Sequence, residues 1–193
     1  MSRRTCGIAR ALALGAALFF AACGGTAPAD GTTVEPGDTA GDPGGASAAE
    51  AQYDAYMDQA GLAMAEGRMQ DALDGYLAAA AIYDKTDEVT VERAEAHYLA
   101  GDCAYQRMEK DVALEQYQKA VDIYLRFSGN SKIKAAVVLT NMGVIYKEKA
   151  MKDKARNCWE TAIQIYNEAP KELQDHANMR KIEQNIRDLE SGF

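Results

Sequence analysis

Phenylalanine, tryptophan, proline and histidine are scarce in this 193-residue chain, and each shortage argues against a class of protein. Four Phe, one Trp and four Pro are too few for the turns and packed strands of a β-sandwich. The two histidines, His97 and His176, stand far apart, so no metal-ligand spacing and no Ser/His/Asp or Cys/His set can be assembled. Neither a P-loop nor a G-x-G-x-x-G turn is present. The N-terminal apolar run, 11–22, has 12 residues, short of the roughly 20 that a membrane-spanning helix needs. The chain is acidic overall and lacks a basic stripe interleaved with aromatics, which argues against nucleic acid as a partner. The expectation is a non-enzyme with no cofactor and no metal.

What is present is a repeat. Ala72-x3-Tyr76-x2-Ala79-x2-Ile82-Tyr83 returns as Ala113-x3-Tyr117-x2-Ala120-x2-Ile123-Tyr124, then as Ala155-x3-Trp159-x2-Ala162-x2-Ile165-Tyr166. The steps are 41 and 42 residues, a period that signals stacked supersecondary units. The patterning predicts helices over 47–65, 68–84, 88–107, 110–127, 131–149, 152–168 and 171–190. Gly129 and Asn130 suit a left-handed helix end, Ser131 a helix N-cap, and Pro170 the first turn of the last helix. Ala60, Gly101 and Gly143 recur with the same two steps, as do Ala72, Ala113 and Ala155. We expect these two sets to face each other at the closest approach of each helix pair. Tyr76, Tyr117 and Trp159 are then expected to fill the space between units.

Leu139-x2-Met142-Gly143-x2-Tyr146 followed by Ala155-x3-Trp159 resembles the tetratricopeptide repeat, whose pattern is W-x2-L-G-x2-Y and then A-x3-F. His97-x2-Ala100-Gly101-x2-Ala104 and Tyr56-x2-Gln59-Ala60-x2-Ala63 are degenerate versions, and the likeness covers residues 51–168. In His97 the large residue that opens the motif is replaced, and we expect it to pack. The step exceeds the usual 34, so the chain looks like the longer-helix variant, and 140–148 is similar to that of kinesin light chains. The resemblance implies an all-α, right-handed α-α superhelix of three helix pairs, 51–85, 88–127 and 131–168. A capping helix at 171–190 follows, with Leu173, Met179, Ile182, Ile186 and Leu189 on one face.

Ahead of the repeats, Arg3, Arg4 and Arg10 precede the apolar run, the pattern of an export signal over 1–22. Ala21-Ala22-Cys23 resembles the lipobox of bacterial lipoproteins, although Phe20 stands where that motif prefers Leu. The resemblance implies lipidation of Cys23, with Gly24 leaning toward the outer membrane. The alternative is ordinary cleavage at Ala27-Pro28-Ala29, giving a secreted chain. Residues 24–50 hold seven Gly, three Pro, five acids and no Lys, Arg or aromatic, so 23–50 reads as a disordered tether. Cys103 and Cys158 fall on helices that do not normally touch, and both are expected to stay free.

In tetratricopeptide arrays the first helices line a concave groove for a peptide or partner helix. Carried over by position, the groove residues are Met57, Gly61 and Met64, then Tyr98, Asp102 and Tyr105, then Thr140, Asn141, Val144 and Lys147. Met57 and Met64 are equally readable as neighbour packing. The Lys/Asn clamp for a terminal carboxylate and the Asn ladder of long-helix members are both missing: Asn141 is the one Asn left, and Met57, Tyr98 and Asp102 stand where a clamp wants polar or basic groups. Residues 51–102 carry 11 acids and 3 bases, while 126–156 carry 8 bases and 2 acids. That polarity either orients a partner or is solvated helix surface. The implied function is an adaptor in the bacterial envelope that holds a segment of another envelope protein. Family precedents are secretin assembly, outer-membrane barrel assembly and peptidoglycan enzymes. Self-assembly is the alternative.

Overall fold

The computed structural model describes residues 43–85 and 89–191. The signal, Cys23 and the tether as far as residue 42 lie outside the described residues. The rest is helical: α1 (Pro43–Ala65), α2 (Met69–Asp84), α3 (Val91–Gln106), α4 (Lys110–Tyr124), α5 (Asn130–Glu148), α6 (Lys152–Glu168) and α7 (His176–Ser191). Each helix packs on the next, so α1–α2, α3–α4 and α5–α6 are pairs and α7 closes the end against α6. One core of buried Ala, Tyr, Val, Ile and Trp runs through all three pairs and ends under Ile182 and Leu189 of α7. Alanine at 60, 72, 100, 113, 120, 135, 155 and 162 is wholly buried, which lets the helix axes approach closely.

Four boundaries differ from expectation for local reasons. Helix α1 begins at Pro43, inside the stretch read as tether, because Pro is well tolerated in a first helical turn. Helix α3 starts at Val91, where Thr90 accepts the Arg93 amide at 3.2 Å as N-cap. Gly129, with φ of 62°, leads directly into Asn130, so Ser131 lies inside α5 and is not its cap. Pro170 does not open the last helix. It precedes a 3₁₀ turn at Lys171–Leu173, and α7 starts only at His176. There the Asp175 carboxylate accepts the amides of Ala177 and Asn178 at 3.1 and 2.9 Å, an N-cap stronger than proline's fixed φ.

The turns inside the three pairs are built alike. Gly67, Met108 and Ala150 have φ of 78°, 65° and 59°. The amides of Arg68, Glu109 and Met151 reach back to the carbonyls of Ala63, Ala104 and Tyr146 at 2.8–2.9 Å, closing a left-handed helix end. Positions 67, 108 and 150 repeat the 41 and 42 steps, yet two of the three are not glycine.

The small-residue contact also differs from expectation. A Cβ on Gly101 would sit 2.5 Å from Cδ1 of Tyr117, and one on Gly143 would sit 2.2 Å from Nε1 of Trp159. These glycines therefore make a slot for the ring on the second helix of the same pair. In the first pair the roles exchange: Ala60 meets Gly75 of α2, at the position that holds Gln116 and Cys158 later.

Candidate functional site on the first helices

Tyr98 and Asp102 lie one turn apart on α3, and this stripe meets a second-helix residue. The Tyr98 and Tyr117 rings are stacked with centroids 6.1 Å apart. The Tyr117 hydroxyl donates to Oδ1 of Asp102 at 2.5 Å. The Tyr98 hydroxyl lies near the same carboxylate, and Asn141 of α5 stands beside both phenol hydroxyls. Burial and the Asp102 charge push the Tyr98 hydroxyl up to about 12, with the Asn141 amide pulling the other way. Burial raises the Asp102 carboxyl above the usual range, and the two phenol donors oppose that. Three helices thus meet at one half-buried carboxylate.

The other expected groove residues are placed as follows. Tyr105 donates to Oε1 of Glu148 at 2.8 Å, joining α3 to α5. Glu148 also takes Lys110 at 3.0 Å. Val144 is half-buried and packs against the core. Lys147 is half-buried and has no ion-pair partner among the described residues. Met57 and Met64 pack against the core from α1, and Met64 Sδ lies 3.9 Å from the Tyr76 hydroxyl, so packing is part of their work. Gly61 lies 3.7 Å, at its ideal Cβ, from that same hydroxyl. Thr140 turns its hydroxyl to the Ala136 carbonyl at 2.8 Å, and its own carbonyl takes Trp159 Nε1 at 3.1 Å. The structure therefore brings Tyr98, Asp102 and Asn141 together, with Tyr105 a turn beyond, and leaves Met57 and Met64 in the first pair.

Sequence reasoning missed Tyr117, Glu148, Glu95 and Lys134. Lys134 of α5 pairs with Glu95 of α3 at 2.6 Å and lies 5.9 Å from the Tyr124 ring centre. With Tyr98, Tyr124, Val137 and Val138 they line a cavity of about 90 Å³. The 15-residue spacing from Asp102 to Tyr117 was the available signal for Tyr117, since it spans one helix turn-back.

Several bases of the basic half are engaged internally. Lys132 pairs with Glu168, Lys134 with Glu95, Lys149 with Asp111 and Arg156 with Glu190. Lys154 lies over the Tyr146 ring. Much of that charge holds neighbouring helices together. His97 is buried, with Nδ1 2.9 Å from Oε1 of Gln116 and Nε2 3.5 Å from Asp84, which makes it a packed interhelical residue. Cys103 and Cys158 are free, and burial pushes both thiols up to about 11. Among the described residues no group of three His, Cys, Asp or Glu is arranged to hold a metal, and no helix is long and apolar enough to cross a membrane.

Residues 92–168, covering α3 to α6, match the tetratricopeptide repeat family. Solved structures with the same fold include BtubC (BKLC) from P. vanneervenii, with a TM-score of 0.63 and 22% identity over 71% of this chain and 54% of that one. The apo form of RapI aligns with a TM-score of 0.61 and 18% identity, over 73% and 49%. A putative kinesin light chain from Podosopora anserina, with nearly identical TPR-like repeats, aligns with a TM-score of 0.55 and 14% identity, over 74% and 65%. The chain spans less than two-thirds of each of these proteins. No curated protein matches. The fold is the right-handed α-α superhelix of tetratricopeptide pairs, ended by α7.

Proposed function

We propose that this chain is a protein-interaction adaptor of the bacterial envelope. Lipid on Cys23 and the tether behind it would hold the array at the outer membrane, facing the periplasm. A segment of an envelope partner would lie along the first helices, against Tyr98, Asp102, Tyr105, Asn141, Val144 and Lys147. We assign it no catalytic role and no cofactor. The observation that supports this reading most is the α3–α5 face. It offers half-buried tyrosine, valine, amide, carboxylate and lysine side by side, the mixture of ring area and polar anchors that binding surfaces use. Repeat arrays of this type expose such faces because each unit contacts only its neighbours.

The test is photo-cross-linking in intact cells from Val144 and Lys147, whose side chains are not committed to internal ion pairs, with a surface control at Gln118. One dominant adduct from both groove positions supports the adaptor reading. Self-adducts from the control and none from the groove overturn it in favour of self-assembly. Cys23→Ser reports separately on the anchor: membrane association is expected to disappear. Unchanged fractionation would refute lipidation at that residue.

A further inference from the structure

The α3 stripe contains two carboxylates in different circumstances. Glu95 has its cation, Lys134, at 2.6 Å. Asp102, two turns further along, has none among the described residues. Its closest partners are the Tyr117 and Tyr98 phenols, and it forms no ion pair with a Lys or Arg among the described residues. Its charge helps to raise the pKa values of Tyr76, Tyr98, Cys103 and Tyr117 above their ordinary range. Half-burying a carboxylate without a countercharge is unfavourable, and proteins ordinarily pair such groups. The tyrosine hydroxyls hold Asp102 in place, but they do not neutralise it.

Its setting suits a particular guest. Tyr98 and Tyr105, four residues before and three after Asp102, share its side of α3, and aromatic rings attract cations. The array from α1 to this point is strongly acidic, with 11 acids against 3 bases over 51–102. On the opposing helix α5 the neutral Asn141 stands beside the phenol hydroxyls, while Lys134 of the same helix is held by Glu95.

We infer that the groove takes a basic segment, and that one arginine or lysine side chain of that segment ends at the Asp102 carboxylate beside the Tyr98 ring. This rests on the groove reading above and adds the chemistry of the occupant. It runs opposite to a carboxylate clamp, which would need bases where Asp102 and Tyr98 stand. Arginine is the better fit, because its planar guanidinium can stack on a phenol ring while donating to a carboxylate.

The test uses the full chain and three synthetic peptides that share one Ala/Leu/Tyr framework. They carry arginine, the neutral isostere citrulline, or glutamate at the same places. Binding is followed by NMR of the Asn141 side-chain amide and the α3 backbone. The arginine peptide is expected to shift these signals and to bind about tenfold or more tightly than the citrulline peptide, as for a hydrogen-bonded charge contact. Asp102→Asn keeps an acceptor for Tyr117 and is expected to erase that difference. Equal binding of arginine and citrulline peptides at the groove overturns the inference in the unaltered protein, whatever the variant does, and leaves the groove reading standing. No groove shift with any peptide also overturns it, while the cellular cross-link from Val144 still decides the groove reading independently.

Discussion

Gly143→Ala adds a single methyl group and is expected to be among the most damaging small changes in the array. The new Cβ would lie 2.2, 2.5 and 2.7 Å from Nε1, Cδ1 and Cε2 of Trp159. The indole is fully buried and is anchored through Nε1 to the Thr140 carbonyl at 3.1 Å, so it cannot step aside freely. Overpacking of this kind costs about 1–3 kcal/mol. Pulling the indole N–H off its carbonyl adds about 1–3 kcal/mol for a buried donor left unsatisfied. Against this, alanine is the better helix former by about 1 kcal/mol. The net is a loss of about 1–5 kcal/mol, or a fall in Tm of roughly 2–20 °C for a domain of this size. Gly61→Ala is the matched control, because its Cβ would meet only the Tyr76 hydroxyl at an ordinary 3.7 Å. That variant should gain about 0.5–1 kcal/mol. Denaturant titration followed by the fluorescence of Trp159, the single tryptophan, reads both. If Gly143→Ala proves as stable as Gly61→Ala, the ring-in-slot account of these pairs is wrong.

The left-handed helix ends, His97 and the buried thiols give three further expected outcomes. Ala150→Gly relieves a left-handed alanine and Met108→Gly a left-handed, exposed methionine, so each should stabilise by about 0.5–1 kcal/mol, measured as a higher denaturation midpoint. Burial holds the His97 pKa below the ordinary imidazole value, so the unfolded chain binds more protons at this site and stability rises with pH there. That contribution is complete above the unfolded value of about 6.5 and is lost as pH falls through it toward the folded value. His97→Gln should flatten the dependence of the denaturation midpoint between about pH 7.5 and 5.5, and an unchanged slope would assign it to carboxylates. Alkylation at pH 8, mapped by mass spectrometry, should leave Cys103 and Cys158 largely unmodified until denaturant is added, since both are held as thiols by burial.

Much of this architecture is written locally. A helix pair needs small residues, rings and apolar positions at fixed spacings, and those spacings survive in the chain as the 41 and 42 steps. Hydrophobic periodicity depends only on residues within one helix, so the seven helices and their order are legible without tertiary information. The free thiols and the packed His97 were readable for the same reason. What a residue faces across a gap is another matter. Nothing in the spacing says that Gly101 makes room for the Tyr117 ring; the rotation of α4 against α3 decides it. The last helix starts at His176 because Asp175 satisfies its first amides, a choice between two local signals that Pro170 alone would have won. The groove was placed by register, but the state of its residues was not. Whether Asp102 meets a lysine or phenol hydroxyls depends on which side chains the packing brings to it, and among the described residues the folded arrangement pairs that carboxylate with Tyr117 and with no cation.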